Sequence, residues 1–174
     1  MDIHFCRRCG ATVSKLTPNA FRCKNGHNLF YDAAPAAGAW IFNHKGEVLL
    51  NVRAVEPGKG KLCMPGGYCD YGESLEAAMA RELQEEVGLT PADYSKPEYL
   101  GSIEDAYPWQ GDVTRLLSVA FRVRLKPGAV VTPGDDAADV RWFTPAKVPR
   151  DQLAFPISLN YFLDMLVANQ KTAG

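Results

Sequence analysis

The segment Ser74–Leu89, SLEAAMARELQEEVGL, constrains the fold more than any other stretch of the chain. Leu75, Met79, Leu83 and Val87 recur every four residues, the spacing of one buried helical stripe. Ser74 suits an N-cap and Gly88 a left-handed stop, so the spacing predicts a helix over residues 74–87. Off that stripe, Glu82, Glu85 and Glu86 stand at i, i+3 and i+4. Like charges at these spacings cost a helix about 0.2–0.5 kcal/mol per pair. A stable helix of this kind therefore calls for a counter-charge from outside it.

The flanking residues extend the pattern: Gly67, five residues, Glu73, seven residues, Arg81-Glu82-Leu83, one residue, Glu85-Glu86, one residue, Gly88-Leu89. MPGG precedes it, and two strand-like runs precede that. A merely solvated acidic face accounts for the glutamates but not for Gly67, Glu73, Arg81 and Gly88. The pattern resembles the Nudix box of the Nudix hydrolases. The resemblance implies an α/β fold, an α/β/α sandwich around a mixed β-sheet, and hydrolysis of a phosphoanhydride. Residue by residue it implies Glu82, Glu85 and Glu86 as ligands of Mg²⁺ or Mn²⁺, Gly66 adding a backbone carbonyl, and an ion pair between Arg81 and Glu73. The donor chemistry agrees, because hard divalent cations prefer oxygen ligands and share them with substrate phosphates. Such a cation supplies charge neutralisation and an acidified water for in-line attack. The family places its general base variously, on the helix or on a later loop, and often adds an acidic residue ahead of an Arg-Trp-Phe-like strand. In GDDAADVRWF the candidate is Asp136, followed by Asp139 and Asp135, with a plain Gly/Asp turn as the alternative.

At the N-terminus, Cys6-x2-Cys9 and Cys23-x3-His27 carry four N/S donors in two knuckles thirteen residues apart. This spacing predicts a closed, structural Zn²⁺ ribbon, with His4 as a substitute ligand should His27 not serve. So short a segment holds too little apolar mass to fold unaided. The predicted division is a zinc ribbon over residues 1–33 and a hydrolase domain over 34–174, an arrangement similar to the NADH pyrophosphatase branch of the Nudix family. Cys63 and Cys69 flank MPGGY and read as two small buried or half-buried thiols, with a redox pair or second metal site as the alternative.

That branch carries Ser-Gln-Pro-Trp-Pro-Phe-Pro after the box, whereas this chain reads YLGSIEDAYPWQGD, keeping only Ser102 and a displaced Pro108-Trp109. Leu62 also stands where many relatives have Trp. The substrate moiety beyond the diphosphate is therefore open. Tyr107 and Trp109, read as loop aromatics, are candidates to stack on a base. Arg53, ending EVLLNVR, is a candidate phosphate contact, with Arg115 behind it, while Trp40, Trp142 and Phe155 read as core. Strands are expected at AGAWIF, EVLLNVR, YLGSIED, TRLLSVAFRVRL and ADVRWF, and a closing helix at ISLNYFLDMLVANQ.

Composition narrows the partners. With 47% hydrophobic and 22% charged residues the chain is globular rather than disordered, and a net charge of −1 offers no global attraction to polyanions. Neither a secretory h-region nor a bilayer-length apolar run is present, so the expected compartment is cytoplasmic, without a membrane partner. The leading reading is a Mg²⁺-dependent hydrolase of a small nucleoside diphosphate derivative, ADP-ribose or an NAD(H)-like dinucleotide, releasing a nucleoside monophosphate. The alternatives are a non-catalytic nucleotide sensor, whose ribbon binds nucleic acid or protein through Arg7, Arg8, Lys15, Arg22 and Lys24, and an RNA-decapping enzyme. Exposed edges leave room for a homodimer.

Overall fold

The structure, a computed structural model, describes residues 3–109, 111–134 and 137–171. The chain first forms a three-stranded antiparallel sheet of β1 (Val13–Thr17), β2 (Ala20–Cys23) and β3 (Asn28–Phe30). A second, seven-stranded sheet comprises β4 (Ala34–Phe42), β5 (Val48–Arg53), β6 (Leu62–Cys63), β7 (Gly66–Tyr68), β8 (Glu98–Trp109), β9 (Asp112–Arg124) and β10 (Ala137–Phe143). Its main path runs β10-β5-β4-β9-β8, with β6 paired to β5 and β7 to β4. The β4–β9 pair is parallel and the others are antiparallel, so the sheet is mixed. Helices α1 (Leu75–Val87) and α2 (Pro156–Lys171) cover its two faces.

Strand alternation explains the layering. On β4, Ala37, Ala39 and Ile41 pack toward α1, while Trp40 and Phe42 pack toward Leu159, Phe162 and Leu163 of α2. On β5, Leu49 joins the α1 side and Val48, Leu50 and Val52 the α2 side. Strands buried on both faces read as unbroken apolar runs. That is why AGAWIF and VLL carry no polar beat. One polar residue interrupts this region: Asn51, on the α1 face of β5 and only 2% exposed.

Helix α1 ends as its sequence requires. Ser74 Oγ accepts from the Ala77 N–H at 3.2 Å, and Met79, Leu83 and Val87 are buried. Gly88 adopts φ +70°, which lets its N–H reach the Gln84 carbonyl while the Leu89 N–H reaches that of Leu83. The Gly turn thereby drives Leu89 into the core, fully buried. Full burial of one such leucine contributes about 1.5–3 kcal/mol.

The main difference from the sequence reading concerns YLGSIED. This strand does not stop at Asp105 but continues to Trp109 and turns back into β9, with Pro108 opposite Val113 and Trp109 opposite Asp112. Tyr107 and Trp109 thus belong to a strand, not to a loop. Pro108 is tolerated inside the strand because β8 lies at the sheet edge, where a missing N–H costs little. Among the described residues no helix is long and apolar enough to cross a membrane.

Candidate functional site

The loop from β7 into α1 and the first turns of α1 bring the acidic cluster together around one arginine. Arg81 donates from Nε to Glu73 Oε1 at 2.9 Å and from Nη2 to Glu73 Oε2 at 3.0 Å, a two-pronged pair, and from Nη2 to the Tyr68 carbonyl at 2.9 Å. The expected Arg81–Glu73 contact is therefore present. The same guanidinium does more than the sequence reading gave it: Nη1 donates to Glu82 Oε1 at 2.8 Å and to Glu85 Oε2 at 3.0 Å. Arg81 holds the Glu73 carboxyl below its ordinary value, with help from the Asp70 N–H, and its own guanidinium is pushed up in return. Burial pushes the Glu82 carboxyl up despite Arg81 beside it.

Glu86 is held differently. Its Oε2 accepts from Asn51 Nδ2 at 3.0 Å and from the Gly66 N–H at 2.9 Å, and the residue is 9% exposed. Two donors on one oxygen fix the carboxylate in place between β5 and β7. Asn51 was missed in the sequence, though a polar residue breaking the apolar run VLLNVR is a readable signal. Its Oδ1 is buried with no hydrogen-bond partner among the described residues. An orphaned buried oxygen beside the Glu86 carboxylate is a costly arrangement unless a positive or donating group completes it. Gly66 enters the site through its N–H rather than visibly through its carbonyl. Gly67 lies against Glu82, and a Cβ there would stand 2.5 Å from Glu82 Oε1. The segment before β10 clamps the C-terminal end of α1, with the Thr132 N–H on the Val87 carbonyl and the Gly134 N–H on the Glu86 carbonyl.

The donors are carboxylate oxygens, the ligand type a hard divalent cation takes. Arg81 Nη1 lies within 3.0 Å of carboxylate oxygens of both Glu82 and Glu85, while Glu86 is held separately by Asn51 and the Gly66 N–H. Of the further acidic candidates, Asp136 and Asp135 lie outside the described residues. Asp139 is exposed on β10 and pairs with Arg141 at 3.2 Å, so it stands apart from the cluster.

A cavity of about 320 Å³ opens beside Glu82 and Glu86. Arg53 and Tyr107 both line it. Arg53 Nε donates to the Pro57 carbonyl at 2.7 Å, and its guanidinium lies 5.2 Å from the centre of the Phe155 ring. Phe155, read from sequence as core, is a half-buried cavity wall stacked on Tyr107, with ring centres 5.5 Å apart. The apolar stretch LAFPI hid this, because a wall residue and a core residue look alike in composition. Trp40 is fully buried as expected. The side chain of Trp109 lies outside the described residues, and Arg115 turns to the Glu104 carboxylate on the exposed face. Cys63 is buried in the cavity wall, its thiol pushed up to about 12 by burial and the neighbouring Glu86 charge. Cys69 is half-buried, and neither forms a disulfide.

In the N-terminal sheet the ligand atoms of Cys6, Cys9, Cys23 and His27 all lie within 4.8 Å of one another. Cys9 Sγ and Cys23 Sγ are 3.9 Å apart, and Cys6 Sγ is 3.6 Å from His27 Nδ1. A tetrahedral zinc with bonds of about 2.3 Å to sulfur and 2.0–2.1 Å to nitrogen sets edges of about 3.8 and 3.6 Å. The Cys9–Cys23 and Cys6–His27 separations match those edges, and His4 is not among the four donors. The Ala11 N–H, then Asn25, lower the Cys9 thiol to about 6, while burial raises that of Cys6.

This arrangement can be set beside known proteins. The chain is 28% identical to the NAD-capped RNA hydrolase NudC of Stutzerimonas stutzeri over 95% of its length, covering 56% of that protein. It is 31% identical to the ADP-ribose pyrophosphatase of Methanocaldococcus jannaschii over 66% of its length, covering 63% of that protein. It thus spans between half and two thirds of these relatives. A NUDIX hydrolase structure from Nitrosomonas europaea shares the fold with a TM-score of 0.69 at 22% identity, covering 97% of this chain and 93% of that one. The NUDIX domain model matches residues 32–162. With the whole seven-stranded sheet, helix α1 and its glutamates inside that span, the chain belongs to the NUDIX family.

Proposed function

We propose that the chain is a divalent-cation-dependent pyrophosphohydrolase that cleaves the phosphoanhydride of a nucleoside diphosphate linked to a second moiety, ADP-ribose or an NAD(H)-like dinucleotide, and releases a nucleoside monophosphate. The observation that carries this reading is that Glu82 and Glu86 line a base-sized cavity, with Glu85 joined to Glu82 through Arg81. Glu82, Glu85 and Glu86, with Gly66 at the loop, would hold Mg²⁺ or Mn²⁺. When bound, the cation supplies charge neutralisation of the diphosphate and acidifies the attacking water. The protein's own part is positional. Asn51 and the Gly66 N–H fix Glu86, Glu73 fixes Arg81, and Arg81 compensates Glu82 and Glu85 while they await a cation. Arg53 lines the cavity, suited to an anionic phosphate oxygen. The name of the M. jannaschii relative supports ADP-ribose as the first substrate to try.

Residues 1–33 would form the zinc ribbon and 34–174 the hydrolase domain. A second reading, with the diphosphate in an RNA cap, draws on the name of the S. stutzeri relative and on the exposed side chains of Arg7, Arg8, Lys15, Arg22 and Lys24. Incubation of the protein with ADP-ribose, NADH and NAD-capped RNA, with and without Mg²⁺, separates the readings. Cation-dependent AMP release from the small molecules is the expected result. Turnover of the capped RNA alone selects the second reading, and no turnover with any diphosphate overturns both.

A further inference from the structure

Two buried polar side chains line the cavity outside the glutamate cluster. Asp105 of β8 is 6% exposed and Ser158 of α2 is 5% exposed, and both line the cavity. Strand alternation puts Ile103, Asp105 and Tyr107 on the face that meets α2, with Asp105 directly opposite the buried Leu116 of β9. Asp105 Oδ1 accepts only the N–H of its own neighbour Ala106, at 2.7 Å. No described lysine or arginine pairs with it. Burying a carboxylate with so few donors is costly, and the cost is recovered when a ligand brings donors of its own.

The ligand chemistry follows from what surrounds it. A phosphate is repelled by a lone carboxylate, so the diphosphate belongs at the end of the cavity near Glu82 and Glu86, where a bound cation would offset the negative charge. A second metal needs several oxygen ligands, whereas Asp105 has Leu116, Leu159 and Phe162 around the same cavity. A neutral N–H donor on a flat ring satisfies both demands, because Tyr107 and Phe155 give the same cavity an aromatic wall. We propose that Asp105 is the specificity-determining acceptor for the exocyclic amine of an adenine-type base, held against the Tyr107–Phe155 wall, with Ser158 lining the same pocket. The assignment rests on the pyrophosphohydrolase reading and names the base that reading leaves open.

The test compares ADP-ribose with its analogue carrying purine, which lacks the 6-amino group, in the wild type, Asp105→Asn and Asp105→Ala. In the wild type, kcat/KM is expected to fall roughly tenfold or more without the amine, mostly through KM, as a buried charged acceptor loses its partner. In Asp105→Ala the two substrates should become equivalent within about twofold by the same reasoning. Calorimetric binding of AMP against purine riboside monophosphate reads the same preference without turnover. Preserved discrimination in Asp105→Ala overturns the assignment. So does an Asp105→Asn variant that loses kcat equally on both substrates, which marks a role in the chemical step. If the wild type turns over no diphosphate, the hydrolase reading falls, and the calorimetric arm still decides for or against Asp105.

Discussion

Gly67→Ala isolates the geometry of the carboxylate cluster from the stability of the fold. A Cβ at residue 67 would meet Glu82 Oε1 at 2.5 Å, Cδ at 2.7 Å and Oε2 at 2.9 Å. All three atoms belong to the end of a side chain that can rotate away, so the backbone need not move. The carboxylate must retreat by about 1 Å to reach ordinary contact distances, and a misplacement of that size costs as much as 100-fold in rate, or about 2.7 kcal/mol. Thermal stability should fall by only a few degrees. Gly66→Ala provides the contrast. Gly66 has φ +149°, and a Cβ there would lie 2.4 Å from Gly38 Cα and 2.5 Å from the Ala37 carbonyl, both backbone atoms that cannot yield. That variant should lose stability before it loses geometry. Cation-dependent AMP release and a melting curve, run on both variants, make the comparison. Gly67→Ala turnover within about twofold of wild type would refute the placement of Glu82 in the reaction.

Three further outcomes follow from named contacts. Asn51→Leu removes the side-chain donor that Asn51 gives to Glu86 Oε2 while filling the same buried space; apparent Mg²⁺ affinity in a titration of turnover should weaken about tenfold, and unchanged affinity would remove Asn51 from the site. Metal analysis of protein purified without chelator should return about one zinc per chain, and Cys23→Ser should abolish it, because two of the four buried residues in the small core of that sheet, Cys6 and Cys23, are themselves ligand candidates. Asp93 accepts from the Thr90 hydroxyl and N–H at 2.6 and 2.8 Å, which hold its carboxyl below its ordinary 3.8. Its folded-state value is depressed, so its contribution is full above that ordinary value and is lost as pH falls through the depressed one. Asp93→Asn should therefore narrow its stability deficit in acid, and a deficit constant from pH 7 to pH 2 would contradict the assignment.

Much of the fold was legible because its signals are local. The stripe of Met79, Leu83 and Val87, the Ser74 cap and the Gly88 stop each act within one helix. The Cys6, Cys9, Cys23 and His27 cluster was readable for a similar reason, since knuckle spacing fixes which donors can converge. What escaped the sequence depends on distant partners. Asn51 reaches Glu86 across 35 residues, and Asp105 meets α2 only after the sheet and helix pack. Phe155 reads as core by composition, and only its place at the rim of α2 turns it into a cavity wall. The extension of β8 through Pro108 shows the same limit, because whether proline ends a strand depends on whether that strand lies at an edge.

The central claim is that the three helical glutamates hold a cation that drives phosphoanhydride hydrolysis. Its most direct test is the rate of AMP release from ADP-ribose as a function of Mg²⁺ for wild type and Glu85→Gln. Glu85 is the most exposed of the three, with a side chain 57% accessible, and its loss should leave the fold intact. The expected result is saturable Mg²⁺ dependence in the wild type and a rate at least 100-fold lower in Glu85→Gln, with an unchanged melting temperature. Equal rates in the two proteins, or wild-type turnover indifferent to Mg²⁺ and abolished by no chelator, would contradict it.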